Sequence, residues 1–180
     1  MDFKKVPFEK NLIFEVNETF QGIISTIDAT QVGHLFFWGE LYGDTTTDDF
    51  WYVNEENMLI EDSKRVGENE YILSLRMSAE VFLFEKMFSD HQLEPYIHVL
   101  IDFDMTGSQV VAKLTFDRYD WRHLNLDLSP DAVWDYYTVE TVGPEYLEND
   151  DNLADIHKMQ EYADKHDETL HYQVFVDDSE

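Results

Sequence analysis

The strongest constraint on this chain is its charge: 39 aspartate and glutamate residues stand against 12 lysine and arginine residues, a formal net charge of −27 over 180 residues. Self-repulsion of this kind opposes a compact state. The same field attracts a cationic partner, speeds the encounter with it, and repels nucleic acid and anionic membranes. The charge therefore favours a protein that binds something basic, with simple solvation of an acidic surface as the alternative.

The composition nevertheless predicts a folded chain. Hydrophobic residues make up 43% and aromatic residues 15% of it, which is too rich for the class of chains that stays disordered. The length predicts one domain over residues 1–180. There is no cysteine, so disulfides and thiolate metal sites are excluded. Because no apolar run is long enough for a signal peptide or a membrane span, we expect a cytoplasmic protein with no membrane partner.

The first half of the chain predicts a helix, two strands and a second helix. Apolar residues recur every three or four positions from Pro7 to about Asp28, which is typical of an amphipathic helix. Residues 33–44 and 50–53 predict an antiparallel pair joined by a turn over 45–49. The second helix lies within 71–92, ends before Pro95, and has Ser78 as its expected N-cap.

The second half predicts a hairpin, two helices and a last strand. Residues 96–103 and 110–118 alternate between apolar and polar around a turn at Gly107. Ser129 and Pro130 predict the start of a helix that stops before Gly143, and another helix covers 152–165. The predicted fold is α+β, a single domain with an antiparallel sheet packed with helices. Residues 168–180 are expected to be a strand-like, partly disordered C-terminal extension.

A pair of aspartates is the sharpest apparent catalytic motif. Asp102 and Asp104 follow a hydrophobic strand in an Asp-x-Asp-x-Thr pattern that resembles the nucleophile motif of haloacid dehalogenase-like phosphatases. That motif belongs on a parallel strand leading into a helix, whereas here Gly107 turns into another strand. The pattern also fails as a calcium loop, since Lys113 stands where a bidentate glutamate is needed. We predict two non-catalytic carboxylates beside a tight turn.

No other pattern predicts a catalytic residue, a metal ligand or a cofactor. The seven histidines lack metalloprotease spacing, so scattered solvated histidines are favoured over a zinc site assembled from distant residues. Phosphate-binding glycine loops are absent, and nucleic-acid binding is disfavoured because it needs clustered Lys and Arg. Most of the Trp and Tyr residues are expected in the core, and Phe116, Trp121 and Trp134 are predicted to be mainly structural.

Residues 93–147 carry an ordered series of short motifs. In chain order they are Leu93-Glu94-Pro95-Tyr96, the hairpin around Gly107, Phe116-Asp117-Arg118-Tyr119-Asp120-Trp121, Trp134-Asp135-Tyr136-Tyr137 and Val142-Gly143-Pro144-Glu145. This order resembles the YezG-like immunity-protein family. There, a helix ending in Leu-Glu-Pro-Trp precedes a hairpin ending in Phe-Asp-Tyr-x-Asp-Trp, a Tyr-rich helix and a Gly-x-x-Pro-Glu turn. With the N-terminal helix and first two strands, the resemblance covers residues 8–165.

The resemblance implies a function. Members of that family are small acidic cytoplasmic proteins of Gram-positive bacteria that neutralise toxins exported by type VII secretion, notably DNA-degrading nucleases. This chain departs from the pattern at Tyr96, where Trp is usual, in the spacing of 122–131, and in its tail after residue 168. We expect an immunity protein, or antitoxin, whose partner is a cognate basic nuclease toxin domain.

Acidic segments in expected turns are the candidate partner-binding residues. They comprise the turn after the first strand, the run before the last helix, and two carboxylates of the family-like segment: Asp44, Asp48, Asp49, Glu148, Asp150, Asp151, Asp117 and Asp120. Asp117 and Asp120 are included because the strand face opposite Phe116 should face solvent. Two other functions stay open: an acidic DNA mimic that a phage or mobile element makes against a host nuclease, and a metal-dependent phosphatase resting on Asp102 and Asp104.

Overall fold

The helices and strands alternate along the chain in an α+β order. The structure, a computed structural model, describes residues 3–56, 58, 70–144 and 152–176, and only the backbone of 70–74. The elements are α1 (Phe8–Ile24), β1 (His34–Tyr42), β2 (Thr45–Val53), α2 (Glu70–Asp90), β3 (His98–Asp104), β4 (Val111–Asp117), α3 (Ala132–Val142), α4 (Leu153–His166) and β5 (Thr169–Phe175).

All five strands form one antiparallel sheet in the order β2-β1-β3-β4-β5. The register places Phe37 opposite Ile101, and Ile101 opposite Leu114. Because paired residues share a face and neighbours along a strand alternate, each strand sends apolar side chains to one or both faces. The predicted fold class and the predicted hairpin around Gly107 are confirmed.

One face of the sheet packs on α1 and α2. The core on this side combines apolar residues of both helices with the inward residues of all five strands, among them Leu12, Phe20, Phe84, Phe88, Phe37, Ile101, Leu114 and Phe116. Helix α2 lies directly against β1 at Gly39, where an added Cβ atom would stand 2.4 Å from Val81 Cγ2. Only glycine permits this close approach.

The other face packs on α3, α4 and the segment that follows β4. Its core is rich in aromatic rings, namely Phe36, Trp38, Trp51, Tyr119, Trp121, Tyr136 and Tyr137. Trp121 donates its indole N–H to the Tyr137 hydroxyl at 3.1 Å. The sheet is therefore the middle layer between two helical layers, and this second layer holds the segment with the family-like motifs.

Three element boundaries differ from the predictions. Strand β2 begins at Thr45, not Phe50, because Gly43 takes a positive φ of 57° and makes a tight turn with Asp44. Helix α2 begins at Glu70, so Ser78 lies inside it and is not its N-cap. Helix α3 begins at Ala132, three residues after Ser129. The Ser129 hydroxyl instead donates to Asn152 Oδ1 at 2.9 Å, tying this turn to the start of α4.

The C-terminal strand is part of the sheet. The whole of β5 pairs with β4, from Val111 opposite Phe175 to Asp117 opposite Thr169. Val174 is buried in the first core. The predicted strand is thus confirmed, and it lies at the edge of the sheet. Residues 177–180 lie outside the described residues. Within the described ranges, no helix has the length and apolar character needed to cross a membrane.

Candidate functional site

The three aspartates predicted to lie together after β1 point in different directions. Asp44 is exposed in the tight turn, whereas Asp48 and Asp49 lie within β2 and so face opposite sides of the sheet. Asp48 accepts a hydrogen bond from the Ser78 hydroxyl of α2 at 2.5 Å, and burial raises its pKa. Asp49 Oδ2 accepts one from Trp134 Nε1 of α3 at 3.1 Å. The expected single acidic loop is therefore wrong.

Asp117 is buried, contrary to its predicted solvent-facing position. It is 3% exposed, because the segment after β4 and helix α3 cover this end of the strand. Its carboxylate accepts hydrogen bonds from the Tyr137 hydroxyl at 2.7 Å and from the Tyr119 N–H at 3.2 Å. Burial raises the pKa of Asp117 to about 7. Its role is internal, and it is removed from the partner-binding candidates.

Asp120 remains at the surface. Its carboxylate accepts a hydrogen bond from His123 Nδ1 at 2.9 Å. The other nitrogen of His123 lies 3.0 Å from the Tyr42 hydroxyl, within hydrogen-bond distance, so Asp120 is held beside the end of β1. The remaining candidates, Glu148, Asp150 and Asp151, lie outside the described residues.

A groove of about 550 Å³ lies where the segment after β4 crosses the ends of β1 and β2. We call it the acidic groove. The lining side chains that define its chemistry are Trp38, Glu40, Arg122, Asp127, Asp131 and Trp134. Asp49 stands directly opposite Trp38 in the β1–β2 register and so lies on the same face of the sheet. This volume is within the ~300–1,000 Å³ of sites that enclose small ligands.

The positive charge of Arg122 in the lining of the acidic groove is neutralised by the carboxylate of Glu40. Glu40 is 2% exposed, and its two oxygens accept hydrogen bonds from Nε and a terminal nitrogen of Arg122, at 2.8 and 2.5 Å. Such a bidentate pair is what a buried carboxylate requires. The Arg122 guanidinium also lies 5.3 Å from the centre of the Tyr42 ring. Glu40 and Arg122 cancel, which leaves Asp127 and Asp131 as the net charge of the groove lining.

Two tryptophans of the acidic groove differ in exposure. Trp134 was predicted to be structural on the apolar face of its helix, but it is 38% exposed and stands at the groove, with its indole fixed by Asp49. Trp38 is buried, and its Nε1 donor has no hydrogen-bond acceptor among the residues that the structure describes. Phe116 and Trp121 are buried as predicted.

The aspartate pair at the end of β3 contacts His34 and Lys113. His34 Nδ1 donates to Asp102 Oδ1 at 2.7 Å, and Lys113 Nζ lies 3.6 Å from Asp102 and 3.7 Å from Asp104. A hydrogen bond from Thr106 lowers the pKa of Asp104. Lys113 thus contacts both carboxylates of the pair. Over residues 3–56, 58, 70–144 and 152–176, no group of three or more His, Asp or Glu side chains is arranged to hold a metal ion.

Local sequence patterns do not reveal the groove, because its parts are far apart in the chain. Glu40 and Arg122 are 82 residues apart, and Asp49 and Trp134 are 85 residues apart. One signal was readable: Phe36, Trp38 and Glu40 alternate along β1, so the period of two places Glu40 on a buried face. A buried glutamate implies a cationic partner, but the alternation does not identify it.

The chain matches no model of a known protein family and no curated protein.

Proposed function

We propose that this protein is an immunity protein that binds and neutralises a cognate, basic nuclease toxin in the cytoplasm of the cell that makes the toxin. The observation that carries the proposal is the net charge of −27 on a chain with two well-packed cores. Such a charge opposes compaction, and a basic partner is the class of ligand for which it is useful. The order of motifs over residues 8–165, which resembles the YezG-like family, supports the same partner.

The mechanism follows from what a nuclease must present to its substrate. A nuclease that binds DNA needs a positively charged groove lined by Lys and Arg, because phosphate contacts supply most of the affinity. An acidic protein competes for that groove and is guided to it over distances longer than a contact. Electrostatic steering raises association rates from about 10⁵–10⁶ M⁻¹s⁻¹ towards 10⁸–10⁹ M⁻¹s⁻¹ at low salt. Rapid capture protects the producing cell before the toxin reaches DNA.

The direct test pairs the protein with a secreted nuclease encoded beside its own gene. The two are co-expressed, co-purified and assayed for DNA degradation at increasing ratios of this protein to toxin. We expect a stable complex and stoichiometric loss of nuclease activity. A neighbouring nuclease that neither binds nor loses activity would overturn the proposal.

The same assay separates immunity from DNA mimicry. A mimic competes with DNA through charge alone, so it should also inhibit unrelated basic nucleases. A cognate immunity protein should inhibit its partner and leave an unrelated nuclease of equal charge active, because buried contacts rather than rim charges dominate interface energy. Inhibition of both nucleases with equal potency would support the mimic.

A further inference from the structure

We infer that β5 pairs edge to edge with β5 of a second copy of this chain, so that the two sheets join into one across a two-fold axis. The inference goes beyond the proposed function and does not depend on it. It rests on the main-chain groups of β5, on the charge of this strand compared with the rest of the chain, and on the side chains beside the edge.

The main chain of β5 offers an open edge. Strand β5 is the last in the sheet, and it pairs with β4. At the two ends of this pairing, the Arg118 N–H donates to the Glu168 carbonyl and the Val176 N–H donates to the Val110 carbonyl. Because main-chain groups alternate in direction along an antiparallel strand, even-numbered residues of β5 bond to β4, and the odd-numbered residues direct their main-chain groups outward. No residue that the structure describes bonds to these outward groups.

Strand β5 lacks the features that protect a strand edge from pairing. Its seven residues include no Asp, Glu, Lys, Arg or Pro, although charged residues make up 28% of the chain. Its register with β4 is continuous, without a bulge. The opposite edge strand, β2, carries Asp48 and Asp49. A long edge without charge, proline or bulge is a template for another strand. The sheet is therefore open to pairing at β5.

The charge of the chain favours a second copy over a basic protein as the occupant. At a net charge of −27, any interface between two copies needs a surface without carboxylates, and β5 provides one. A basic partner is drawn to carboxylates, and finds none along this strand. In the sequence, Asp167 and Glu168 directly precede β5 and Asp177 follows Val176. The remaining repulsion between copies is screened by salt.

A two-fold register uses the whole strand. Outward groups lie on odd-numbered residues, so an odd-numbered residue must face an odd-numbered one, and the register centred on Tyr172 pairs all seven residues. It places Leu170 opposite Val174, His171 opposite Gln173, and Thr169 opposite Phe175 of the second copy. Leu170 is 40% and Phe175 57% exposed, and both lose contact with water in the dimer. Within β5, no carboxylate faces another.

The first test measures mass by sedimentation equilibrium from micromolar to millimolar protein, at about 0.15 M and about 1 M salt. We expect the mass to rise with concentration from that of one chain towards that of two. The dimer should be tighter at the higher salt, because the Debye length falls from ~8 Å to ~3 Å and like charges repel less. The mass of a single chain under all conditions would overturn the inference.

Amide hydrogen exchange, followed by NMR, locates the interface. At low concentration the amides of the odd-numbered residues His171, Gln173 and Phe175 should exchange fast, whereas those of Tyr172 and Val174 are protected by β4. At high concentration the three outward amides should become protected as well. A dimer that leaves them unprotected would use another surface and would overturn the inference.

A matched pair of variants separates this edge from the general field. Q173E places a carboxylate on the exposed edge and should weaken the dimer about tenfold, since like charges meet across the paired strands. Q21E adds the same charge to the exposed side of α1 and should change the dimer by less than about twofold. Equal effects of Q173E and Q21E would contradict pairing at β5.

A proline variant tests the main chain directly. Q173P removes an outward N–H and keeps the bonds of β5 to β4, so it should abolish the dimer at an almost unchanged melting temperature. A folded Q173P that dimerises as the unchanged protein does would overturn the inference. If Q173P does not fold, Q173E and the amide exchange decide the question.

Failure of this inference is distinguishable from failure of the proposed function. If a neighbouring nuclease protects the outward amides of β5 and the chain alone stays monomeric, the edge binds the toxin; the dimer is then wrong and the immunity function stands. If the chain dimerises through β5 but no neighbouring nuclease binds it, the dimer stands and the proposed function is wrong.

Discussion

Two buried carboxyl groups, Glu80 and Asp117, link the stability of this protein to pH. Glu80 lies between α1 and α2 next to Glu15, and burial together with that neighbouring carboxylate raises its pKa to about 7. Burial raises the pKa of Asp117 to the same region. In an unfolded chain both groups ionise near pH 4. Between pH 4.5 and 7 the native state therefore holds protons that the unfolded state has released, and stability falls as pH rises.

We expect E80Q to stabilise the protein at pH 8 and to have little effect at pH 5. At pH 8 the substitution removes a buried charge that repels Glu15, whereas at pH 5 Glu80 is already neutral. The expected gain is about 1–3 kcal/mol, measured by urea denaturation at both pH values. The control E161Q changes an exposed glutamate and should show no such pH dependence. A gain of equal size at pH 5 would contradict a proton on Glu80.

Removal of a phenylalanine ring at a buried position and at an exposed position separates the contributions of the core and the surface to stability. F116A removes a side chain that is 1% exposed and packs on Phe84, Phe88 and Tyr96. It should lower the free energy of unfolding by about 3–5 kcal/mol. F175A, on an exposed ring of the edge strand, should cost less than about 1 kcal/mol. If F116A kept its melting temperature but lost the partner, Phe116 would belong to an interface.

At the scale of elements, the β3–β4 hairpin carries two aspartates whose partners are internal. We expect D102N/D104N to leave partner binding within a few-fold, because these carboxylates bind His34 and Lys113. Their ion pairs are partly solvated and should contribute little to stability. Binding of the toxin and release of phosphate from a generic phosphoester are measured together. A metal-dependent phosphatase activity that the double variant abolishes would revive the enzymatic alternative.

The edge strand β5 is expected to be required for folding. A chain ending at Asp167 loses the seven residues that pair with β4 and uncovers Ala112 and Leu114 of the first core. It should lose its cooperative unfolding transition and precipitate, since an unpaired apolar strand edge promotes aggregation. A chain ending at Val176 retains all of β5 and is the control. Retention of a sharp thermal transition in the shorter chain would show that β5 is not required for folding.

At the scale of the molecule, the acidic surface should act mainly on the rate of association. D44N/D49N/D120N should slow capture of the toxin several-fold at low salt and flatten its salt dependence. The reason is that steering declines as the Debye length shrinks to ~8 Å at physiological ionic strength. E9Q/E161Q/D164N removes the same net charge from another part of the surface, and stopped-flow mixing compares the two.

Two outcomes of that comparison are informative. A larger effect of D44N/D49N/D120N places the interface at the end of the sheet that carries β1, β2 and the acidic groove. An association rate that changes neither with salt concentration nor with either set of substitutions would mean that the acidic residues serve solubility. The binding surface would then lie elsewhere.

Periodicity in the sequence was sufficient to predict most of the elements. Ile101 and Phe103 alternate with polar residues, as do Leu114 and Phe116, and the strands formed where this period of two occurs. Boundaries were less predictable where a residue had competing roles. Ser78 and Ser129 both suit a helix N-cap, yet each donates its hydroxyl to a side chain of another element, Asp48 and Asn152.

The candidate site depended on tertiary structure for a different reason. Asp48 and Asp49 are identical in chemistry and adjacent in the chain, and only the packing of α2 and α3 on opposite faces of the sheet distinguishes their partners. The alternation along β4 predicts that Asp117 faces solvent. Asp117 is buried because α3, which is distant in the chain, covers this end of the strand.

The sequence by itself determined the charge, the α+β class and the antiparallel hairpin, because these follow from composition and from patterns within a few residues. Tertiary structure alone decided which carboxylates are neutralised, which are buried and which remain available. Glu40 and Arg122 became a pair, and Trp134 became part of a groove, through contacts between segments more than 80 residues apart. Local patterns specify which face of an element is apolar, whereas the partner that covers that face is set by packing of the whole chain.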